Sequence, residues 1–281
     1  MPPIPPDSLP VATVLTVAGS DPSGGAGIQA DLKTFAAIGV YGGAVITSLT
    51  VQNTMGVRQM TPLPPALVKA QLSEVLVDLT VSHVKIGMVA SAAIGAAIGE
   101  ALRNFAGEVI YDPVLRATSG RSLFAEEGLA ALQQELINRV TVLTPNLPEL
   151  TALTSISPAD GDLASAAALL FDRYPRLRAL VVTGGHDERE AATVTDRLFL
   201  RPPHGSSPIC LANSHPRVKT TNCHGTGCTF ASAFAAYHQQ SNDYREAFTK
   251  AIGFVDQLLR LSSAYRVGHG NGPLLHHLWQ R

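Results

Sequence analysis

The sequence predicts an α/β fold with a mainly parallel central sheet and helices on both faces, and three observations predict it. Short apolar runs alternate with helical stretches along most of the chain. Six of the runs end in Gly, Pro, Asn, Asp or Gln, and two glycine-rich turns lead straight into helices. Parallel neighbours need a crossover between them, usually a helix, so such alternation builds a sheet covered on both sides.

Taken in order, the strand-like runs are Val11 to Val17, Ala44 to Val51, His83 to Met88, Glu108 to Tyr111, Thr141 to Leu143 and Ala179 to Thr183. Each is short, rich in Val, Ile, Leu or Thr, and bounded by turn residues. Between them lie helical patterns at Ile28 to Ile38, Pro65 to Leu79, Ser91 to Phe105, Ala125 to Asn138 and Asp162 to Arg173. The order then changes. Ala192 to Leu200 and Ile209 to Asn213 read as an antiparallel extension, followed by two long helices, Thr226 to Gln239 and Tyr244 to Ala264.

The 281 residues suffice for one large domain with a substantial core, and no low-complexity linker, charge run or repeat divides them. Residues Met1 to Pro10 read as a flexible Pro-rich arm, leaving 11–281 as a single domain. A net charge of −1, with Lys and Arg scattered, argues against nucleic acid as a partner. The arm lacks the basic start of a secretory signal, and Met88 to Gly99 is too short to cross a bilayer, so a cytoplasmic protein is expected. Three cysteines, two of them in one glycine turn, fit a reducing compartment rather than a disulfide scaffold.

That turn carries the strongest chemical signal: Asn222-Cys223-His224-Gly225-Thr226-Gly227-Cys228-Thr229 opens onto a small-residue helix. Gly225 and Gly227 bare the backbone, and the first helical turn adds unpaired N–H donors and a positive dipole end, so an anion is stabilised there. Cys228 sits where a thiol pKa is expected to fall. Its rival reading is a small buried hydrophobe at an ordinary helix start. Cys223 and Cys228 with His224 lack a fourth ligand, which argues against zinc.

The second turn, Gly19-Ser20-Asp21-Pro22-Ser23-Gly24-Gly25-Ala26-Gly27, stands between the first strand and a helix. Gly25, Gly27 and Ala30 fit the dinucleotide pattern G-x-G-x-x-G/A, which raises a nicotinamide enzyme as an alternative. The second strand, however, ends in Gln52-Asn53 rather than the acid that holds a ribose, and no Lys-Ser or Lys-Thr completes a Walker A loop. In an open α/β sheet the ligand lies beyond the carboxyl ends of the strands. Gly19 to Gly27, Gln52-Asn53, Gly87-Met88, Asp112-Pro113, Pro145-Asn146 and Gly184-Gly185 all fall there.

Ala18 to Asp31, Thr47 to Asn53, Lys85-Ile86-Gly87-Met88, Thr144 to Glu149, Gly184-Gly185-His186 and His224 to Thr229 together resemble the ribokinase-like small-molecule kinases. Within these they resemble the hydroxymethylpyrimidine/phosphomethylpyrimidine kinases of thiamine biosynthesis, from about Val14 to Leu275. The resemblance implies a three-layer α/β/α sandwich, ATP and Mg²⁺ as cofactors, and a homodimer. It implies that Gly19, Asp31, Gln52, Met88 and Val114 line a pyrimidine pocket, with Asp31 accepting from the aminopyrimidine. It places Asp112, Asn146 and Glu149 near Mg²⁺ and the ATP phosphates, and sets Thr183 and Lys219 beside the nucleotide. Asn146 and Glu149 also read as the cap of a helix after Pro145. Gly225, Thr226 and Gly227 would stabilise the transferring phosphoryl group, and Cys228, where related sugar kinases carry aspartate, would be the base.

The chain departs from the family in having Thr118, Thr183 and His269 where members commonly carry lysines, with Arg116 and Arg121 as candidate replacements. The second family reaction brings more negative charge into the site, so the first phosphorylation is expected to be competent and the second poor. Arg116 to Phe124 is the expected lid. The competing readings are a pyridoxal or pyridoxine kinase and a catalytically silent sensor of pyrimidine phosphates.

Overall fold

Strand β1 (Thr13–Ser20) is central because nearly every one of its side chains is apolar or a hydroxyl that can be buried. Helix α1 (Gly27–Ile38) leads to β2 (Tyr41–Asn53), and β3 (Gly56–Pro62) folds back on it. Then follow α2 (Pro65–Asp78), β4 (Val81–Ile86), α3 (Ala92–Ala101), β5 (Glu108–Tyr111) and β6 (Val142–Leu143). Helices α4 (Leu147–Thr154) and α5 (Leu163–Arg173), strands β7 (Ala179–Val182), β8 (Thr193–Leu200) and β9 (Ile209–Pro216), and helices α6 (Thr226–Ser241) and α7 (Tyr244–Ser262) complete the order. This computed structural model describes residues 11–115, 135–156, 163–185, 192–203 and 206–280. The Pro-rich arm, the expected lid with Thr118, Arg116 and Arg121, His186 and most of the helix expected at Ala125 to Asn138 lie outside the described residues.

The strands form one nine-stranded sheet in the order β3-β2-β1-β4-β5-β6-β7-β8-β9. Pairing is parallel from β2 through β7 and antiparallel at both margins, where β3, β8 and β9 add on. Because β2 and β4 flank β1 on opposite sides, the winding reverses there and opens a crevice at the strands' carboxyl ends.

Two cores follow from the alternation of side chains along each strand. Leu15, Val17, Val84, Ile86, Val109 and Tyr111 point to one face and pack on α2 to α5. Val14, Ile110, Val142, Ala179 and Val181 point to the other and pack on α1, α6 and α7. The small residues Ala231, Ala233, Ala235 and Ala236 let α6 lie close against the sheet.

The expected architecture is therefore present, with shifted limits and one element added. Strand β3 escapes sequence reading because Arg58, Gln59 and Thr61 make it polar and edge-like, so only its pairing with β2 defines it. Helix α4 was readable only as a cap, and that cap is real: the Asn146 side chain accepts from the Glu149 N–H at 2.9 Å, and Glu149 accepts from the Asn146 N–H at 2.9 Å.

Candidate active site

The two glycine turns meet over the carboxyl edge of the sheet. Gly225 takes φ 81° and caps α6, and a Cβ there would collide with the Gly25 carbonyl. Gly27 at φ 57° likewise presses on the Gly19 carbonyl. Gly225 and Gly27 are required by close approach of backbone to backbone, and Gly25 by the His224 side chain against it, which accounts for the dinucleotide-like spacing of Gly25 and Gly27 without a dinucleotide. Gly227 differs, facing open space with Asp112 Oδ2 its nearest neighbour, at 3.8 Å from where a Cβ would stand.

Between the turns lies a cavity of about 1320 Å³. Each of the six loaded strand ends contributes to its wall, through Gly19, Gln52, Met88, Asp112, Asn146 and Gly185. Val114, Thr183, Glu149, Lys219 and the Gly225-Thr226-Gly227-Cys228 turn also line it. Lys219 is exposed at the rim. The N–H groups of Gly227 and Cys228 belong to the first turn of α6, where no intrahelical acceptor is available.

Asp31 does not belong to this wall, contrary to its expected place in the pyrimidine pocket. It is fully buried beneath the floor, where Lys85 Nζ donates to Oδ1 and Oδ2 at 2.9 and 3.0 Å. The Thr16 hydroxyl donates to Oδ2 at 2.6 Å and the Ser232 hydroxyl to Oδ1 at 2.7 Å, so its acceptors are committed. Burial opposes the charge on Lys85, yet Asp31, Cys228 and Asp112 together hold its pKa above the ordinary lysine value.

Cys228 also corrects an expectation. Burial pushes its thiol up to about 12; Lys85 works in the other direction and does not prevail. The helix N-terminus therefore leaves a protonated thiol in the ligand-free protein.

Asp112 follows directly on β5 and is 5 % exposed, and its Oδ2 has no hydrogen-bond partner among the described residues. Burial lifts its pKa to about 6. Glu149 rises to about 8 through burial and then the charge of Asp112. Two hard oxygen donors that resist ionisation alone, one of them orphaned and aimed into a cavity, fit a magnesium ion completed by water and phosphate. Among the described residues no group of three or more His, Cys, Asp or Glu gathers round one point.

Sequence reading missed the link between the two turns. His224 Nε2 lies 2.8 Å from Asp21 Oδ2 and 3.2 Å from the Gln52 amide. Asp21 also accepts from Ser23 N–H and hydroxyl, Gly25 N–H and Ala26 N–H at 2.7 to 3.2 Å. Its only sequence signal was a carboxylate inside a glycine turn. Val194, Val218, Ile252, Val255 and Leu259 add an apolar lining to the same cavity. His269 stands outside the cavity, on an exposed loop tied to Thr54.

Residues 21–275 match the family model described as phosphomethylpyrimidine kinase. The hydroxymethylpyrimidine/phosphomethylpyrimidine kinase of Rhizobium meliloti is 40% identical over 271 residues, covering 95% of this chain and 98% of that one. The thiamine biosynthesis bifunctional protein ThiED of Geobacter sulfurreducens is 40% identical over 95% of this chain and 53% of its own. Among solved structures, phosphomethylpyrimidine kinase (thiD) from Clostridium difficile 630 superposes with TM-score 0.73 at 33% identity, covering 88% and 98% of the two chains. The pyridoxal kinase from Staphylococcus aureus in complex with AMP-PCP and pyridoxal gives 0.79 at 27%, covering 96% of each.

Proposed function

This chain belongs to the phosphomethylpyrimidine kinase family, and from that membership we propose that it phosphorylates 4-amino-5-hydroxymethyl-2-methylpyrimidine, and then its monophosphate to the diphosphate, with ATP in thiamine biosynthesis. The observation that carries the reading is that Gln52 and Met88 line the same cavity as the bare turn at Gly225 to Cys228. Gln52 offers both a donor and an acceptor to a ring nitrogen and its neighbouring amine. The apolar lining of Val194, Val218, Ile252, Val255 and Leu259 would take the adenine, with Lys219 and Thr183 beside the phosphates.

The hydroxymethyl oxygen attacks the γ-phosphorus, forming one O–P bond as the bond to ADP breaks. Alignment and charge stabilisation are the protein's task, because the transition state is loose. The N–H groups of Gly227 and Cys228 face the transferring phosphoryl group. Asp112 and Glu149, with Asn146 fixing Glu149, would hold Mg²⁺. When bound, the ion supplies charge neutralisation at the phosphates. The proton leaves the attacking oxygen for Cys228 Sγ. Because that thiol is protonated at rest, activity depends on its small thiolate fraction and rises with pH.

With Thr118, Thr183 and His269 in place of lysines, the already phosphorylated substrate is the poorer one. We read the assembly as a cytoplasmic homodimer, in keeping with exposed Leu49, Val51 and Met55 on the β2–β3 ribbon. No described helix is long and apolar enough to cross a membrane. The likeness to a pyridoxal-bound kinase supports a second reading, pyridoxal phosphorylation at the same site.

The deciding experiment counts ADP released per hydroxymethylpyrimidine with excess Mg-ATP, products identified by mass, pyridoxal alongside. A first ADP released fast and a second more slowly, with the monophosphate accumulating ahead of the diphosphate, are expected. Comparable turnover on both substrates would overturn the poor second step, and turnover of pyridoxal alone would move the assignment.

A further inference from the structure

We propose that His224, held by Asp21, fixes the polarity of the Gln52 amide and so makes the site accept a 4-aminopyrimidine edge and reject its 4-oxo counterpart. The proposal rests on the pyrimidine reading above and adds two positioning residues to it.

Asp21 accepts four hydrogen bonds from Ser23, Gly25 and Ala26 besides the contact with His224. Burial opposes its ionisation, but the bonds from His224 and Ser23 hold its pKa below the ordinary value. An ionised carboxylate only accepts. His224 Nε2, 2.8 Å from Oδ2, therefore carries a proton and directs it at Asp21, whatever the state of Nδ1. That nitrogen has no lone pair left for the Gln52 amide 3.2 Å away, so the amide end facing it must be the oxygen.

The other end of the amide gives an independent answer. Thr50 Oγ1 lies 3.3 Å from it and has one proton, which goes to the Ser20 carbonyl at 2.9 Å. Thr50 can then only accept, and the amide end facing it must be the NH₂. With nitrogen toward His224 and oxygen toward Thr50, as the side chain stands, donor meets donor at one end and acceptor meets acceptor at the other. A half-turn about χ3 cures both, and amide nitrogen and oxygen are assigned by such networks.

One N–H and one carbonyl lone pair then remain for a ligand, in a fixed order. A 4-aminopyrimidine presents an acceptor at N3 and a donor at the amine. The 4-oxo analogue presents N3–H as donor and the carbonyl as acceptor, the reverse order. A freely turning amide would serve either edge; one pinned at both ends leaves the wrong edge unpaired.

The test compares kcat/KM for hydroxymethylpyrimidine and for its 4-oxo analogue in wild type, Asp21→Asn and Thr50→Val. Dissociation constants of both compounds, measured by calorimetry, give a readout free of turnover. Wild type is expected to prefer the amine by ~10²-fold or more. Asn at position 21 keeps an oxygen toward the Gly25 and Ala26 N–H groups but carries no charge, so it holds the Nε2 proton weakly and lets the imidazole change tautomer and the Gln52 amide turn. The preference should then fall ~10-fold or more in both measurements. Thr50→Val, which leaves the Asp21 loop untouched, should lower it in the same direction by less. A ratio that stays constant while kcat falls would overturn the proposal and leave a structural brace. Wild type acting on neither compound would overturn the pyrimidine reading first, and this one with it.

Discussion

Two buried aspartates near the same lysine have opposite surroundings. Asp31, below the cavity floor, has both oxygens bonded by Lys85, Thr16 and Ser232, whereas Asp112, at the floor, leaves Oδ2 without a partner among the described residues. A buried polar group that the protein has satisfied is part of the fold, and one it has left unsatisfied needs a ligand. The contrast separates a structural layer from a reactive one in a region where both are acidic.

Breaking the sealed layer should have the largest effect. Lys85→Met strands Asp31 as an uncompensated buried charge, and a loss of about 3–5 kcal/mol in urea unfolding is expected. The double variant Asp31→Asn/Lys85→Met should recover much of it. An unchanged midpoint for the single variant would show that Asp31 finds another partner and that the contrast is false.

Next in size is the reactive layer. Cys228→Ala should lower kcat by about 10²-fold or more at unchanged unfolding midpoint, the scale of a lost general base. With the wild-type thiol near 12, kcat/KM should climb as pH rises from 6 to 9, and the Ala variant should lose that slope. A flat wild-type profile would remove the thiolate from the mechanism.

The smallest effect sharpens the comparison through stability. Burial raises the Asp112 carboxyl from 3.8 to about 6, so the folded protein holds a proton that the unfolded chain gives up. Its contribution is complete below about 3.8 and is lost as pH rises through about 6. Asp112→Asn should therefore gain on wild type by on the order of 2 kcal/mol between pH 4 and 8, without ligand, while losing activity. A stability difference that is flat with pH would mean that Asp112 is already ionised by a partner.

The sequence carried the signal for the wall residues that sit at strand ends, because an open α/β sheet brings its carboxyl ends together whatever the details of packing. Gln52, Met88, Asp112 and Asn146 were legible on that ground. Asp31 misled for a physical reason. The family resemblance implied a ligand role for it, and nothing local discloses that Lys85, 54 positions away on β4, neutralises it. The Cys228 thiol misled similarly, since a helix N-terminus is visible in the sequence and burial is not. His224 and Asp21 lie 203 positions apart, and each alone looked like turn chemistry.

By itself the sequence determined the alternating sheet and helices, the two bare glycine turns and the strand-end chemistry, because these depend on period, turn preference and unpaired helix donors within a few residues. Only the tertiary structure decided which carboxylate is neutralised, which is orphaned and which nitrogen of the 203-residue His224–Asp21 contact carries the proton. Charge and hydrogen bonding fall off over a few ångströms of space, and the chain brings distant residues within that range only after the sheet has closed on its helices.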